Sequence, residues 1–428
     1  MRVLVTGANG FLGAQIAAAL RDAGHEVVAG LRRPRASDLE QGKAIRCDFA
    51  RDVQMESWQA RLVGVEAVVN CVGILRETRD DTFQRVQVDA PLALFKACTV
   101  AAVGRVIQIS SIGAAEDGEF VASKHRCDAG LAMLDLDWLV LRPGLVYSAH
   151  GTYGGTSLLR ALSALPGMLL LPGDGRQALR PVAMRDLALA VVSGIEAPRR
   201  FRQVVEIVGP DIITLRDYLL AWRRWFGLPG PIIVSMPSAL VGIAVAIGEF
   251  WGRGPLCRVI ANLLQRGRVG SEGALEATRA LIGREPLRLV DALRERSSQL
   301  PDLMFARWYV LEHLLIFTLA VVWIASGLVG LSLPESVVVA ALPGWKPETT
   351  RLVTLSSSIA DLTLGVALLT GRATRTVLCC MLAMVIAYTA AIGITAPSQW
   401  LDPFGGLLKN LPIAATLMAL LWMAPRRR

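Results

Sequence analysis

The sequence predicts a doubly wound parallel α/β sheet followed by an all-α four-helix transmembrane bundle. Two patterns carry that prediction. Up to about Val208, short apolar runs alternate with helically patterned segments; beyond Phe305, four apolar runs are each long enough to cross a bilayer. Composition agrees, because 53% hydrophobic against 19% charged residues leaves too few charges to solvate a wholly soluble surface, and it excludes general disorder. With 428 residues the chain exceeds one ordinary core, so two or three units are expected.

Seven runs read as strands: Val3–Val5, Glu26–Ala29, Ile45–Cys47, Ala67–Asn70, Val106–Ser110, Trp138–Leu141 and Val204–Val208. Alternation of such runs with helical segments argues for parallel strands covered on both faces. Beyond Thr214 come an amphipathic stretch, Leu215–Trp225, an apolar run, Ile232–Ile247, read as one buried or interfacial helix, and a basic region from Arg253 to Arg296. The resulting division is a nucleotide-binding unit over 1–230, a helical and basic part over 231–302, and a membrane domain over 303–428.

The four candidate spans are Trp308–Leu331, Leu352–Leu369, Thr376–Ile394 and Leu407–Met423. They are apolar all round, whereas a soluble bundle needs polar outer faces. The start of the chain carries no basic and apolar leader pattern, so the N-terminal unit is expected to stay in the cytosol. Arg372, Arg375 and the tail Arg426-Arg427-Arg428 then also fall inside, while the outer loops Ser332–Thr350 and Pro397–Gly406 hold Lys346 as their sole basic residue. That asymmetry is what the positive-inside rule asks of a multi-pass protein of a bacterial inner membrane with both termini cytoplasmic. Trp345, Trp400 and Trp422 fall near the expected interfaces. The same topology accounts for the net charge of +9 without nucleic acid, since the basic residues follow loops rather than a recognition helix. Seven cysteines form no CxxC pair and no zinc-ligand spacing, so no structural metal is expected.

The strongest local signal is Thr6-Gly7-Ala8-Asn9-Gly10-Phe11-Leu12-Gly13, between the first strand and the first helix. Glycines at Gly7, Gly10 and Gly13 let a turn close tightly and bring backbone N–H groups against a pyrophosphate at a helix N-terminus, the phosphate-binding device of Rossmann-like folds. After the second strand the chain reads Gly30-Leu31-Arg32-Arg33-Pro34-Arg35, with no acid for a ribose 2′-hydroxyl; Arg32 and Arg33 suit the 2′-phosphate of NADP, or form a solvated basic loop.

With these residues stand Cys47-Asp48-Phe49, Asn70-Cys71-Val72-Gly73, Ile109-Ser110-Ser111 and Leu141-Arg142-Pro143-Gly144. Together they resemble the extended or atypical short-chain dehydrogenase/reductases, most closely the branch that includes the NADPH-binding accessory subunit of mitochondrial complex I. The resemblance covers about Met1–Gln299. The four-helix part resembles the DoxX-like membrane family through its helix count and the segment Asp361-Leu362-Thr363-Leu364-Gly365. The short-chain dehydrogenase/reductase resemblance implies that Gly7, Gly10, Phe11 and Gly13 hold the pyrophosphate, Arg32 and Arg33 the 2′-phosphate, Asp48 the adenine, and Asn70 to Gly73 the nicotinamide side. Ser110 or Ser111 and Lys124 would sit by the nicotinamide ribose. Asp48 equally suits a turn cap and Asn70 a buried turn.

The family's chemistry uses a tyrosine four residues before the lysine, and here the segment reads Phe120-Val121-Ala122-Ser123-Lys124. A benzene ring has no ionisable proton, so ordinary ketone reduction is expected to be impaired. Lys124 and Ser111 remain as candidate catalytic groups, with His125 and Tyr147 as substitute proton donors. Three accounts stay open: hydride transfer to an acceptor that needs no tyrosine, such as a lipophilic quinone or a flavin, another proton donor, or an NADP(H)-loaded scaffold or sensor of a membrane complex. Within the bilayer, Asp361 suits either a proton or quinone-headgroup contact or an interhelical hydrogen bond, while Gly327, Gly330 and Gly365 suit close helix packing.

Overall fold

A computed structural model describes residues 1–251, 258–265, 269–341, 346–371, 374–401 and 406–423. Trp345, Arg372, Cys257, Arg253 and the tail Arg426–Arg428 lie outside these. The chain forms two compact units, Met1–Ala246 with Pro255–Arg307, and Ile247–Gly254 with Trp308–Arg428.

In the first unit the seven sheet strands are β1 (Arg2–Thr6), β2 (Glu26–Leu31), β3 (Ala44–Arg46), β4 (Ala67–Asn70), β5 (Arg105–Ile109), β6 (Trp138–Pro143) and β7 (Gln203–Ile207). Their spatial order is β7-β6-β5-β4-β1-β2-β3, and every pairing is parallel. Each expected strand is found within two residues of its predicted bounds. The reason is visible in the side chains. Val3, Val5, Ile107, Ile109, Leu139 and Leu141 point to one buried layer, and their neighbours Leu4, Val106 and Val140 to the other. Both faces are covered, so each strand reads as an unbroken apolar run.

The first layer is closed by α1 (Phe11–Asp22) and the helix Met184–Glu196, the second by the helices Ala90–Val100 and Glu119–Ala132. A buried ion pair braces the sheet: the Arg105 guanidinium donates to Asp137 at 2.7 Å and to the carbonyls of Gly194 (2.6 Å) and Ala197 (2.8 Å). In a dry site such a cation is stable only because nearly all its donors are used.

A third buried cluster lies beyond the C-terminal side of the sheet, built on Tyr147, Leu159, Leu171, Tyr218 and Trp222. Here the apolar run after Ile232 departs from expectation. It is two elements, a strand Ile232–Met236 and a helix Ser238–Trp251, parted by Pro237. The β-branched Ile232, Ile233 and Val234 pair in parallel with Met168–Pro172, and a proline cannot continue that ladder. The amphipathic stretch Leu215–Trp225 is a helix, capped by the Thr214 hydroxyl, which accepts from the Asp217 amide at 3.0 Å.

Among the described residues three helices are long and apolar enough to cross a membrane: Leu300–Ser332, which begins in the first unit, and Pro347–Thr370 and Thr374–Thr395 in the second. The expected fourth run is helical over Asn410–Met423, 14 residues, below the length a straight crossing needs. Leu314, Leu328, Leu352, Ile359 and Ile386 are exposed, so the outer surface of this unit is apolar, as a lipid-facing bundle requires. Glycines set its closest contacts. A Cβ on Gly327 would come within 2.7 Å of the Ser358 carbonyl, and one on Gly365 within 3.1 Å of the Ala320 carbonyl. Asp361 accepts a hydrogen bond from Ser326 at 2.9 Å, and Asn410 donates to Thr389 at 2.8 Å. Each ties two helices together through polar groups that the bilayer would otherwise leave unpaired.

Candidate nucleotide-binding and active site

In a doubly wound sheet the ligand crevice opens where neighbouring strands send their connections to opposite faces, here between β1 and β4. A cavity of about 430 Å³ lies there. One wall is the glycine turn. Gly7 sits at φ +67°, a conformation other residues rarely hold, and the Gly10 amide donates to the Gly7 carbonyl at 2.9 Å. Gly13 packs so tightly on Gly7 that a Cβ would run into the Gly7 carbonyl. No side chain caps α1, which leaves its first-turn amides available to an anion. A turn this close to the cavity, with a helix N-terminus behind it, fits a dinucleotide pyrophosphate.

Of the residues expected at the site, Gly7, Gly10, Phe11, Gly13, Gly73, Ser111 and Lys124 line this cavity. Asn70, Arg32, Arg33 and Asp48 do not. The Asn70 side chain is consumed inside the sheet: its carbonyl accepts from the Thr6 hydroxyl at 2.6 Å and the Val72 amide at 3.3 Å, and its amide donates to Gln108 at 2.7 Å. It ties β1, β4 and β5 at their C-terminal ends and shapes the Cys71–Gly73 turn. Asp48 does cap a turn, accepting from the Ala50 amide at 3.3 Å, and it also pairs with Arg32 at 3.4 Å. Arg32 is held further by Asp81, with hydrogen bonds of 3.1 and 2.8 Å, a pairing that raises the guanidinium pKa against the opposing cost of burial. Arg33 is exposed.

At the other wall, Lys124 is buried and donates to the Ile109 carbonyl at 3.1 Å, with its ammonium 5.8 Å from the centre of the Phe120 ring. Desolvation lowers its pKa, while the nearby Asp128 carboxylate opposes that shift. Asp128 in turn accepts from Ser110 at 2.8 Å and from Arg142 at 2.8 Å, which fixes the end of β5 against the helix bearing Lys124. Cys71 also lines the cavity; desolvation pushes its thiol up to about 12, so it offers no thiolate.

The lowered lysine pKa has a measurable consequence. Between that pKa and the ordinary 10.5, the unfolded chain holds the extra proton, so stability rises with pH across the interval. The Lys124→Met variant is expected to flatten the rise, read as the slope of the thermal midpoint of the N-terminal unit against pH on the approach to 10.5 from below.

Neither substitute proton donor meets the cavity. Tyr147 belongs to the third apolar cluster, stacked edge-on against Trp222 at 6.5 Å, and burial raises its phenol pKa far above the usual value. The His125 ring is hydrogen-bonded to the Ser111 carbonyl at 3.2 Å, turned to the backbone. Residues that the sequence reading missed include Leu75, Leu145, Tyr153, Thr156, Leu159 and Leu179, which give the far end of the cavity a mainly apolar wall. Leu75 and Tyr153 come from loops, Leu145 and Leu179 from short strands, the Leu145 strand having its partner, Pro181–Ala183, more than thirty residues away, and Thr156 and Leu159 from the amphipathic helix Gly155–Ser163.

Each of the two parts of the chain is similar to a known family. Residues 3–130 match the NAD dependent epimerase/dehydratase family and residues 320–419 the DoxX-like family. An epimerase family protein of Mycobacterium bovis is 27% identical over 289 residues, 62% of this chain and 91% of that protein. The ceramide reductase of Caulobacter vibrioides is 27% identical over 256 residues, 58% of this chain and 78% of that enzyme. Among solved structures, the human epimerase family protein SDR39U1 (isoform 2) with NADPH superimposes with a TM-score of 0.53 at 22% identity, covering 70% of this chain and all of the human one, a likeness of fold.

Proposed function

We propose, for a chain whose N-terminal part is an NAD dependent epimerase/dehydratase domain of the short-chain dehydrogenase/reductase type and whose C-terminal part is DoxX-like, that it is a membrane-anchored NADP(H)-dependent oxidoreductase acting on a lipophilic, quinone-like acceptor. The observation that carries this reading is the composition of the cavity: an anion-binding glycine turn at one wall, a buried lysine at the other, and an apolar far end with phenylalanine where a phenol would stand. Supporting it, a relative 27% identical over 256 residues is named ceramide reductase.

The coenzyme, when bound, supplies a hydride. The α1 amides would hold its diphosphate, Lys124 and Ser111 the ribose by hydrogen bonds, and Arg32 with Arg33 the 2′-phosphate. Asp48 would border the adenine, and Gly73 would let the backbone approach the nicotinamide. Phe120 would border the reacting carbon without donating a proton. A ketone then lacks the acid it needs, because its product is a strongly basic alkoxide. A quinone does not, because its reduced oxygen is phenolate-like, with a conjugate acid near pKa 10, and water can protonate it. In this reading the N-terminal unit and the C-terminus lie on the cytoplasmic side of a bacterial inner membrane, and the multi-pass domain anchors the protein in the bilayer that holds the acceptor.

Phe120 also favours a second reading, a nucleotide-loaded scaffold or sensor of a membrane complex without turnover. Detergent-purified protein mixed with NADPH and a short-chain quinone separates the two at the nicotinamide absorbance band. The oxidoreductase reading expects oxidation above a Gly10→Asp control, and a loss of at least tenfold in Lys124→Ala. NADPH that binds but is not oxidised leaves the scaffold.

A further inference from the structure

Read along the chain, the segment after β2 offers Arg32 and Arg33 without an acid, which points to a 2′-phosphate. The folded chain brings two acids there from elsewhere. Asp48 arrives after β3 and Asp81 from the loop after β4, and both face the Arg32 guanidinium, at 3.4 Å and at 2.8 and 3.1 Å. Asp81 engages it through both carboxylate oxygens, the planar two-point geometry that a phosphate would also use. Arg32 therefore meets an incoming phosphate already neutralised.

We propose that Asp81 is the residue that sets coenzyme selectivity, a displaceable carboxylate that occupies Arg32 and must be exchanged for the 2′-phosphate of NADP(H). The proposal rests on the NADP(H) reading above and adds the competitor within the same site.

The placement of Asp81 gives the exchange a structural result. Its loop is closed on itself by a reciprocal turn, in which the Thr78 amide donates to the Asp81 carbonyl at 2.9 Å and the Asp81 amide to the Thr78 hydroxyl at 3.0 Å. The Phe83 amide donates to Glu77 at 2.7 Å. The Arg32 pair joins this small unit to the end of β2, 49 positions earlier. The same loop continues from Gly73, Ile74 and Leu75, which line the cavity. Release of Asp81 by a phosphate thus frees a loop whose root is the wall of the acceptor pocket, whereas NADH, with a hydroxyl in that place, leaves the pair intact. The Arg32 side chain is 49% exposed and that of Asp81 22%, so the exchange needs no opening of the core.

Two measurements on the full chain in detergent test this. Fluorescence titration of NADPH and NADH compares wild type with Asp81→Asn, which keeps the side-chain shape but removes the charge. Loss of one competing, half-exposed pair and of its repulsion toward a dianion is expected to tighten NADPH by about tenfold with little change for NADH. Hydrogen exchange of wild type then reads residues 76–82, where NADPH is expected to speed exchange and NADH to leave it unchanged. An unchanged NADPH/NADH ratio in Asp81→Asn, alongside a wild-type preference for NADPH that Arg32→Ala abolishes, overturns the proposal and leaves the NADP(H) reading standing. A wild-type preference for NADH, weakened by Asp81→Asn, overturns both and assigns the acids to ribose hydroxyls.

Discussion

Replacing Gly13 by alanine is expected to abolish useful coenzyme binding, with affinity for NADPH falling by about 100-fold or more. The added Cβ would lie 2.8 Å from the Gly7 carbonyl carbon, closer still to its oxygen, and 3.1 Å from the Ala8 Cα. All three are backbone atoms, so no side-chain rotation relieves the clash. Relief comes only from opening the turn, and Gly7, at φ +67°, is the residue whose carbonyl would have to move. Overpacking of this kind costs about 1–3 kcal/mol, and an opened turn also withdraws the amides that meet the pyrophosphate. Gly10→Ala is a graded control, because its Cβ would stand 3.1 Å from one atom alone, the Gly7 carbonyl oxygen, and it is expected to weaken binding less. Fluorescence titration ranks the three proteins, and circular dichroism with thermal unfolding of each separates a lost site from a lost fold. Wild-type affinity in a folded Gly13→Ala protein would mean that the pyrophosphate does not sit against this turn.

The Phe120→Tyr variant is expected to gain carbonyl reduction, by about 10²–10⁴-fold over the background of the native chain. Phe120 and Lys124 stand one turn apart on the helix Glu119–Ala132, with the ammonium 5.8 Å from the ring centre. A hydroxyl added to that ring would lie beside a buried cation, the arrangement that lowers a phenol pKa and prepares it as a general acid. Phe83 packs edge-on against Phe120 at 6.2 Å, which holds the ring in place without blocking the cavity. The assay is NADPH consumption with soluble aldehydes and ketones, with coenzyme affinity measured in parallel. Binding retained without any gain in turnover would show that the missing phenol is not what limits this site.

Both predictions act on groups that are local in sequence, and such groups were legible there. The glycine turn could be found because its three members lie within seven positions and serve one bend. The Phe120 and Lys124 pair could be found because a helix turn fixes their spacing. The strands were legible for a different reason: Val3 to Val5 and Ala67 to Asn70 are buried on both faces, so burial alone writes an apolar run. Other features had no local trace. Asn70 looks like a coenzyme contact along the chain, yet Thr6 and Gln108, 64 and 38 positions away, take its polar atoms. Tyr147 looks like a spare phenol, yet it faces Trp222 in the third cluster.

Short-range physics controls the pattern that is legible along the chain: a parallel sheet covered on both faces, a phosphate-ready helix N-terminus, and apolar helices of membrane-crossing length. Tertiary structure alone decided the charge around Arg32, because Asp48 and Asp81 reach it from two other crossovers of the sheet. It also decided the split at Pro237, where pairing with Met168–Pro172 made a strand of what reads as the start of a helix. Electrostatics and strand pairing act through space, and the partners that set them are separated along the chain by tens of residues.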